Sequence, residues 1–326
     1  MVGFRSGIVG GALAGVIAAT CLTGAAQADD YPNRPVKIVV PTGPAGGYDF
    51  VGRTVAEQLS KRLKQGVIVE NKTGAGTVVG TQSVISSVPD GYTLLVGGLS
   101  NIVFNSGLYK KAPYDPLTQL MPVAIIYNNS YILVAPKDLP FSNVKELIAG
   151  AKAKPGELRL AHPGVGTGQH LAGVAFMKYT GTKFQEVPYR GASAIYPDLI
   201  TGRVELFFDS STGALPSLKG GQVKGLGATT SERLKDAPDV PTMKEQGAQG
   251  LEIDAWIGVF APVGTPATVI ERLQKEIADA LPELKTRFLA AGGDAISIEP
   301  ARLQDFVRKE HESWNKLIKD AGITID

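Results

Sequence analysis

Only one cysteine occurs in the 326 residues, Cys21, and it lies near the start of the chain, so no disulfide can hold the fold together. Histidine is also scarce, with His162, His170 and His311 the only three. No G-x-S-x-G elbow accompanies them, which removes the usual signature of a serine hydrolase. Neither sign of charge is in excess: 33 basic against 31 acidic side chains leave a net charge of +2, without a basic run. Nucleic acid and anionic membrane surfaces are therefore not expected partners, and any attraction for an anion must be local. Long runs of large apolar residues are missing too. The apolar stretch Ser6–Thr23 is dominated by glycine and alanine, follows Arg5, and ends at Ala26-Gln27-Ala28 in an A-x-A pattern. That pattern predicts a secretory signal over 1–28, cleaved before Asp29, rather than a membrane anchor. Its removal leaves 298 residues without cysteine.

What the remaining chain does contain is a regular alternation. Short apolar runs predict strands at Val36–Pro41, Val67–Glu70, Thr93–Gly97, Ile132–Ala135, Leu158–Ala161, Gln185–Pro188, Leu206–Phe208, Gly225–Thr229 and Ile257–Ala261. Most are separated by enough chain for a helix, which argues for an α/β fold built on mainly parallel sheets flanked by helices. Phe50–Lys64 places Val51, Val55, Leu59 and Leu63 on one helical face and stops at Gly66. Two extended stretches, Tyr127–Pro136 and Leu251–Pro262, have the character of crossings between two lobes. The expected division is residues 29–130 plus 253–326 for the first lobe and 131–252 for the second, with the crossings as a hinge and a ligand cleft between the lobes.

Two segments share one design. Val36–Asp49 (VKIVVPTGPAGGYD) and Leu158–His170 (LRLAHPGVGTGQH) each run a strand into a glycine-rich loop that opens a helix. Such a turn aims unpaired backbone N–H groups at one point, backed by the positive end of the helix dipole, and that point suits an anion. A third glycine loop, Thr73-Gly74-Ala75-Gly76, follows Val67–Glu70. Its glycine spacing to Gly80 is one residue too long for a dinucleotide fingerprint, and no acidic residue stands where a ribose would need one, so no nucleotide cofactor is expected.

The strings YPNRPVKIVVPTGPAGGYD, VENKTGAG, PDGYTLLVG, NSGLYKKAPYDP, GTGQHLAG, VPYRG, DVPTMKEQG and WIGVFAPVGTP, in this order from Tyr31 to Pro266, resemble the periplasmic solute-binding receptors of tripartite tricarboxylate transporters, the Bug family. The resemblance implies a two-lobed periplasmic-binding-protein (Venus flytrap) fold and a monomer without cofactor or catalytic residue. It implies a periplasmic receptor that captures a small mono- or dicarboxylate and hands it to a two-subunit membrane permease. Carried over by motif, the ligand-contact loops are Thr42, Gly43, Ala45, Gly46 and Gly47 with Asp49, and Gly164, Val165, Gly166 and Thr167 through His170. Thr42-Gly43 stands where relatives have a bulkier pair, which widens the expected pocket. Together with Tyr48 and Phe50, this makes room for an aromatic acid.

Other polar residues at strand ends join the candidate set. Thr73, Ser100 and Asn101 face the presumed cleft from the first lobe. Arg190 is placed to pair with a second carboxylate or to brace Asp209, while Asp209 would select a ligand bearing a hydroxyl or amino group. Thr167 is expected to donate inward through both hydroxyl and N–H. Asp49 also suits the helix dipole alone, and His170 suits a purely bracing role. His162 and His170 lie eight apart with no third ligand in sequence reach, so no metal is expected. A secreted enzyme acting on a small organic acid is the alternative reading.

Overall fold

Eleven strands form two separate sheets in the computed structural model, which describes residues 31–44, 46–253, 255–322 and 324. The expected secretory signal therefore lies outside the described residues, as does Ala45. Pro32–Asp326 forms one compact unit. In chain order its first part runs β1 (Val36–Val40), α1 (Gly47–Leu63), β2 (Val67–Asn71), α2 (Val78–Ile85), β3 (Thr93–Gly98), α3 (Asn105–Leu108), α4 (Pro116–Gln119) and β4 (Leu120–Asn129). The middle part holds β5 (Tyr131–Pro136), α5 (Val144–Ala153), β6 (Arg159–His162), α6 (Gly168–Thr180), β7 (Gln185–Pro188), α7 (Tyr196–Ile200), β8 (Leu206–Ser210), α8 (Ser211–Lys219) and β9 (Val223–Ala228). The chain then closes with β10 (Ala255–Pro262), α9 (Ala267–Asp279), α10 (Leu281–Ala290), β11 (Asp294–Ala295) and α11 (Pro300–Ala321).

The first sheet has the order β11-β4-β10-β3-β1-β2 and the second β7-β6-β8-β5-β9, a two-lobed α/β architecture. All nine strands read from apolar runs are present within two residues at either end. Their direction differs from expectation. Among the described strands only β1-β2, β1-β3, β6-β7 and β6-β8 are parallel, whereas β10 lies antiparallel to both β3 and β4, and β5 antiparallel to both β8 and β9. The sheets are mixed because the strands entering or leaving a sheet by a crossing arrive without a βαβ unit to impose parallel order.

The chain leaves the first sheet at Asn129 and enters the second at Tyr131, with Ser130 alone between them. It returns between Ala228 and Ala255. Each parallel strand feeds a helix through a tight turn, which brings the N-termini of α1 and α6 to the C-terminal ends of β1 and β6. The core explains the order of the first sheet. β3, β10 and β4 are covered on both faces, with Leu95, Val96, Ile125, Trp256, Val259 and Phe260 at most 2% exposed. α11 closes one face: Trp314 meets Phe104 edge-on at 5.0 Å, Phe306 meets Trp256 at 5.6 Å, and the indole of Trp256 donates to Glu310 at 3.0 Å. No helix among the described residues is long and apolar enough to cross a membrane.

Gly258 marks the tightest backbone approach in this core. A β-carbon there would stand 2.3 Å from the carbonyl oxygen of Ala124 on β4, where the β10–β4 register slips. Replacing Gly258 with Ala must push two central strands apart, and the expected loss of stability is about 1–3 kcal/mol, read as a lowered urea midpoint with unchanged slope.

Candidate functional site

The two helix starts singled out in the sequence meet in one cavity. It is lined by Gly47 and Tyr48 of α1, Gly168 and Gln169 of α6, Ser100 after β3, Tyr131 at the start of β5, Asn129, Ser210, and Trp256 with its neighbours on β10. The first backbone hydrogen bond into α1 is from Phe50 N–H to the Gly46 carbonyl. The N–H groups of Gly47 and Tyr48 precede it and have no partner within the helix. In α6, His170 N–H goes to the Thr167 hydroxyl and Leu171 N–H to the Thr167 carbonyl, so Gly168 and Gln169 carry the unpaired donors. Among the described residues, no charged side chain lines this cavity. Beside the neutral polar side chains of Ser100, Asn129, Gln169 and Ser210, main-chain N–H groups at two helix starts add the positive ends of their dipoles, which favours negative charge.

The glycines of the two loops differ in purpose. In the first loop none has positive φ, and a β-carbon at Gly43 or Gly46 would meet nothing within 4 Å. These positions leave open space. In the second, Gly164 (φ 142°) and Gly166 (φ 81°) require the left-handed region that glycine adopts freely. Close approach matters at Gly168, where an added β-carbon would stand 1.9 Å from the Tyr131 hydroxyl. Tyr48 is fixed likewise, its hydroxyl accepting from Ser100 N–H at 3.2 Å, and burial holds the hydroxyls of Tyr48 and Tyr131 well above their usual pKa.

Of the residues expected from sequence, Gly47 and Ser100 line the cavity. Several others are committed elsewhere. Asn101 has no exposed surface. Its amide oxygen accepts from Gly98 N–H, and its nitrogen donates to Thr81 and Val96, closing the π-helical turn Leu99–Phe104. It is a brace in the turn and faces no cleft. Thr167 does not donate inward: its hydroxyl and N–H both go to the Gly164 carbonyl, the usual geometry of an N-cap that must hold a strained loop. Gly166 N–H points at His170 Nδ1 at 3.3 Å, and Val165 is 46% exposed. Asp49 is buried and accepts from Arg53 Nε at 2.9 Å and Asn71 Nδ2 at 2.8 Å, while Asn71 also donates to the Thr42 carbonyl. These bonds tie the first loop to β2. Thr42 keeps its hydroxyl buried with no partner among the described residues. Thr73 is exposed on the third loop, outside the cavity lining.

Arg190 is exposed beside the end of β6, where Gly191 N–H reaches the Pro163 carbonyl. It does not supply the bonds to Asp209. That carboxylate, 1% exposed, accepts from the Tyr196 hydroxyl at 2.7 Å, from Ser210 N–H at 2.8 Å and from the Gln169 side chain. Asp209 thus sits behind the cavity and orients Gln169 and Ser210, which line it. Gln169, Ser210 and Tyr131 were not singled out as contacts by sequence. The signal for Gln169 was its place as the second residue of α6, directly after the glycine loop.

The two histidines lie together, ring centroids 4.5 Å apart, with His170 Nε2 3.1 Å from Glu186 Oε1 on β7. Sequence spacing offered no third group near them. The parallel pairing of β7 with β6 supplies one. Burial pushes the pKa of His162 below its usual value, and the neighbouring His170 adds to this. The Glu186 carboxyl is held below the usual carboxylate range by its bond to His170. A larger cavity, about 320 Å³, lies at the crossings and is lined by Asn128, Ser130, Thr230, Arg233, Asp236 and Gly293 among others. It contains none of the expected site residues.

Residues 51–323 match the family described as Tripartite tricarboxylate transporter family receptor. Among solved structures, that of the periplasmic binding protein BugD is 33% identical, with a TM-score of 0.81 over 90% of this chain and all of that one. Rpa4515 of R. palustris, solved with adipate, is 31% identical with a TM-score of 0.84, covering 91% of this chain and 100% of its own. MatC (Rpa3494) of Rhodopseudomonas palustris, solved with bound malate, is 30% identical with a TM-score of 0.81, covering 88% and 100%.

Burial raises the Asp209 carboxyl from 3.8 to about 6. Its folded-state value lies above its unfolded one, so the ionised form costs stability above about pH 6, and that cost is relieved as pH falls toward about 4. The chain should gain about 2–3 kcal/mol relative to Asp209→Asn between about pH 7 and pH 4, measured by urea unfolding of both proteins across that window.

Proposed function

Because the chain belongs to the tripartite tricarboxylate transporter receptor family, a family of periplasmic solute-binding receptors and not of enzymes, we propose that it captures a small aliphatic dicarboxylate between its lobes. One carboxylate lies in the cavity under the N-termini of α1 and α6. The observation carrying this reading is that these two helices pack on different sheets and present unpaired N–H groups to one cavity that no charged side chain among the described residues lines. An anion bridging both helix ends is bound more tightly when the lobes are closed, so ligand shifts the lobes toward closure by that difference in affinity. The hinge is formed by the passage through Ser130 and the return after Ala228, with residues 29–130 and 253–326 on one side and 131–252 on the other. Adipate and malate, bound by relatives of similar architecture, set the size class of the ligand. The loaded receptor acts as a monomer and delivers its acid to a two-subunit membrane permease.

In this reading Asp49, Asn101, Thr167 and His170 hold the loops that shape the site. Gly47, Tyr48, Ser100, Tyr131, Gly168, Gln169 and Ser210 meet the ligand. Open space at Gly43 and Gly46 takes the remainder of the acid, with Arg190 reaching its distal carboxylate.

Titration with adipate, malate, an aromatic diacid and the dimethyl ester of adipate checks the ligand class. At least one free diacid should raise the unfolding free energy by about 2.7 kcal/mol at a hundredfold excess over its dissociation constant, and the ester should leave it unchanged. Gly47→Pro checks the N–H grip. Gly46 has ψ 172°, compatible with a following proline, and Gly47 opens the helix, where proline is tolerated. Losing this single charge-assisted donor should weaken diacid binding about tenfold or more. Gly47→Ala, whose β-carbon would meet only Ile257 at 3.7 Å, should bind like the parent. Equal affinity in all three proteins would exclude a contact at this N–H.

A further inference from the structure

Beside the second loop, three side chains from three elements converge. His162 ends β6, His170 lies in the first turn of α6, and Glu186 comes from the neighbouring edge strand β7. A ring nitrogen of each histidine and a carboxylate oxygen of Glu186 all lie within 4.8 Å of one another. His170 Nε2 and Glu186 Oε1 are already 3.1 Å apart, close to the separation of two donors on one tetrahedral ion. The histidines are 4% and 6% exposed, whereas Glu186 is open to solvent, so the cluster has a buried floor and an accessible side. A bracing role accounts for His170, which contacts Gly166 and Glu186. His162 also reaches the Gly164 main chain, but one of its nitrogens is left over. The Nδ1 of that ring is buried and has no hydrogen-bond partner among the described residues, an unusual cost for a group that packing alone could replace with an apolar one.

We propose that His162, His170 and Glu186 form a binding site for a borderline divalent cation of the zinc class, with solvent completing its coordination. Two imidazoles and one carboxylate suit Zn²⁺ or its neighbours in the first transition row and are a poor set for Mg²⁺ or Ca²⁺, which prefer oxygen cages. A ring nitrogen of His162 gains a partner, and Glu186, on an exposed edge strand, can swing to close the remaining distance. One local change follows from ring chemistry. Coordination through His170 Nε2 puts the ring's remaining proton on Nδ1, so the 3.3 Å contact from Gly166 N–H opens and that amide is released from the histidine. The cation therefore reshapes the loop that leads into α6.

The site is independent of the carboxylate reading and is tested without any acid present. Tag-free protein titrated calorimetrically with Zn²⁺ should bind one equivalent, and Mg²⁺ should give no heat. Glu186→Gln, an exposed change, and His162→Ala should each weaken Zn²⁺ about tenfold or more. Imidazole NMR resonances give a second readout: Zn²⁺ should move those of His162 and His170 and leave His311, bonded to Ser106 far along the chain, as the internal reference. Absence of a one-to-one Zn²⁺ isotherm, undiminished affinity in Glu186→Gln, or a response confined to His311 would overturn the assignment.

Discussion

One threonine joins the outgoing and returning paths between the two sheets. Thr229, 1% exposed, donates its N–H to the Tyr131 carbonyl and accepts from Tyr131 N–H through its hydroxyl, both at 2.9 Å. The same hydroxyl donates to the Ile253 carbonyl, and the Thr229 carbonyl accepts from Ile253 N–H, both at 3.0 Å. Four bonds on one residue thus lash the first residue of β5 to the segment that leads back into β10. In a buried position, each such polar group must find its partner inside the protein, so the two paths cannot separate without leaving several unpaired.

The arrangement around the cavity follows from it. Tyr131, pinned through its backbone to Thr229, stands against Gly168 and so sets how near α6 approaches the crossing. Ser211 N–H reaches the Ser130 carbonyl at 2.8 Å, which fixes the start of α8 and with it Asp209 and Ser210. On the other sheet, the π-helical turn after β3 is held by Asn101 and presents Ser100 N–H to Tyr48. The buried carboxylate of Asp209 is kept behind the cavity and held by Tyr196, Ser210 and Gln169. Local positive potential therefore comes from oriented dipoles in a chain whose overall charge is almost balanced.

Much of the scaffold was legible in the amino-acid order. Runs such as Val36–Val40 and Leu206–Ser210 are short, apolar and bounded by turn residues, and the helix after Gly47 has a clear apolar face. β4 was read only as the start of a crossing, because its buried faces suppress alternation and Pro122 interrupts the pattern. β11, two residues long, carries no periodicity at all. Strand direction was misjudged at β5 and β10, whose partners are distant in sequence and joined by no turn motif. At the site, residue type and position pointed to loops whose helices open on the cavity but could not tell which polar atoms were already spent. Asn101, Thr167 and Asp49 all look like ligand donors or acceptors in a list of residues; each is consumed by the backbone or by a neighbour once the loops are folded. Glu186 escaped notice for the converse reason, since only strand pairing brings it to the histidines.

That the described wall of the cavity carries no charged side chain has an evolutionary consequence. A binding point made of main-chain amides is encoded by helix position, and exchanging one side chain for another leaves those amides in place. On the reading proposed above, residues such as Tyr48, Ser100, Tyr131 and Gln169 can then vary the volume and polarity around the anion locus without erasing it. Drift in such a lineage changes which solute fits far more readily than it abolishes affinity for negative charge, so descendants diverge in diet while sharing one anchor.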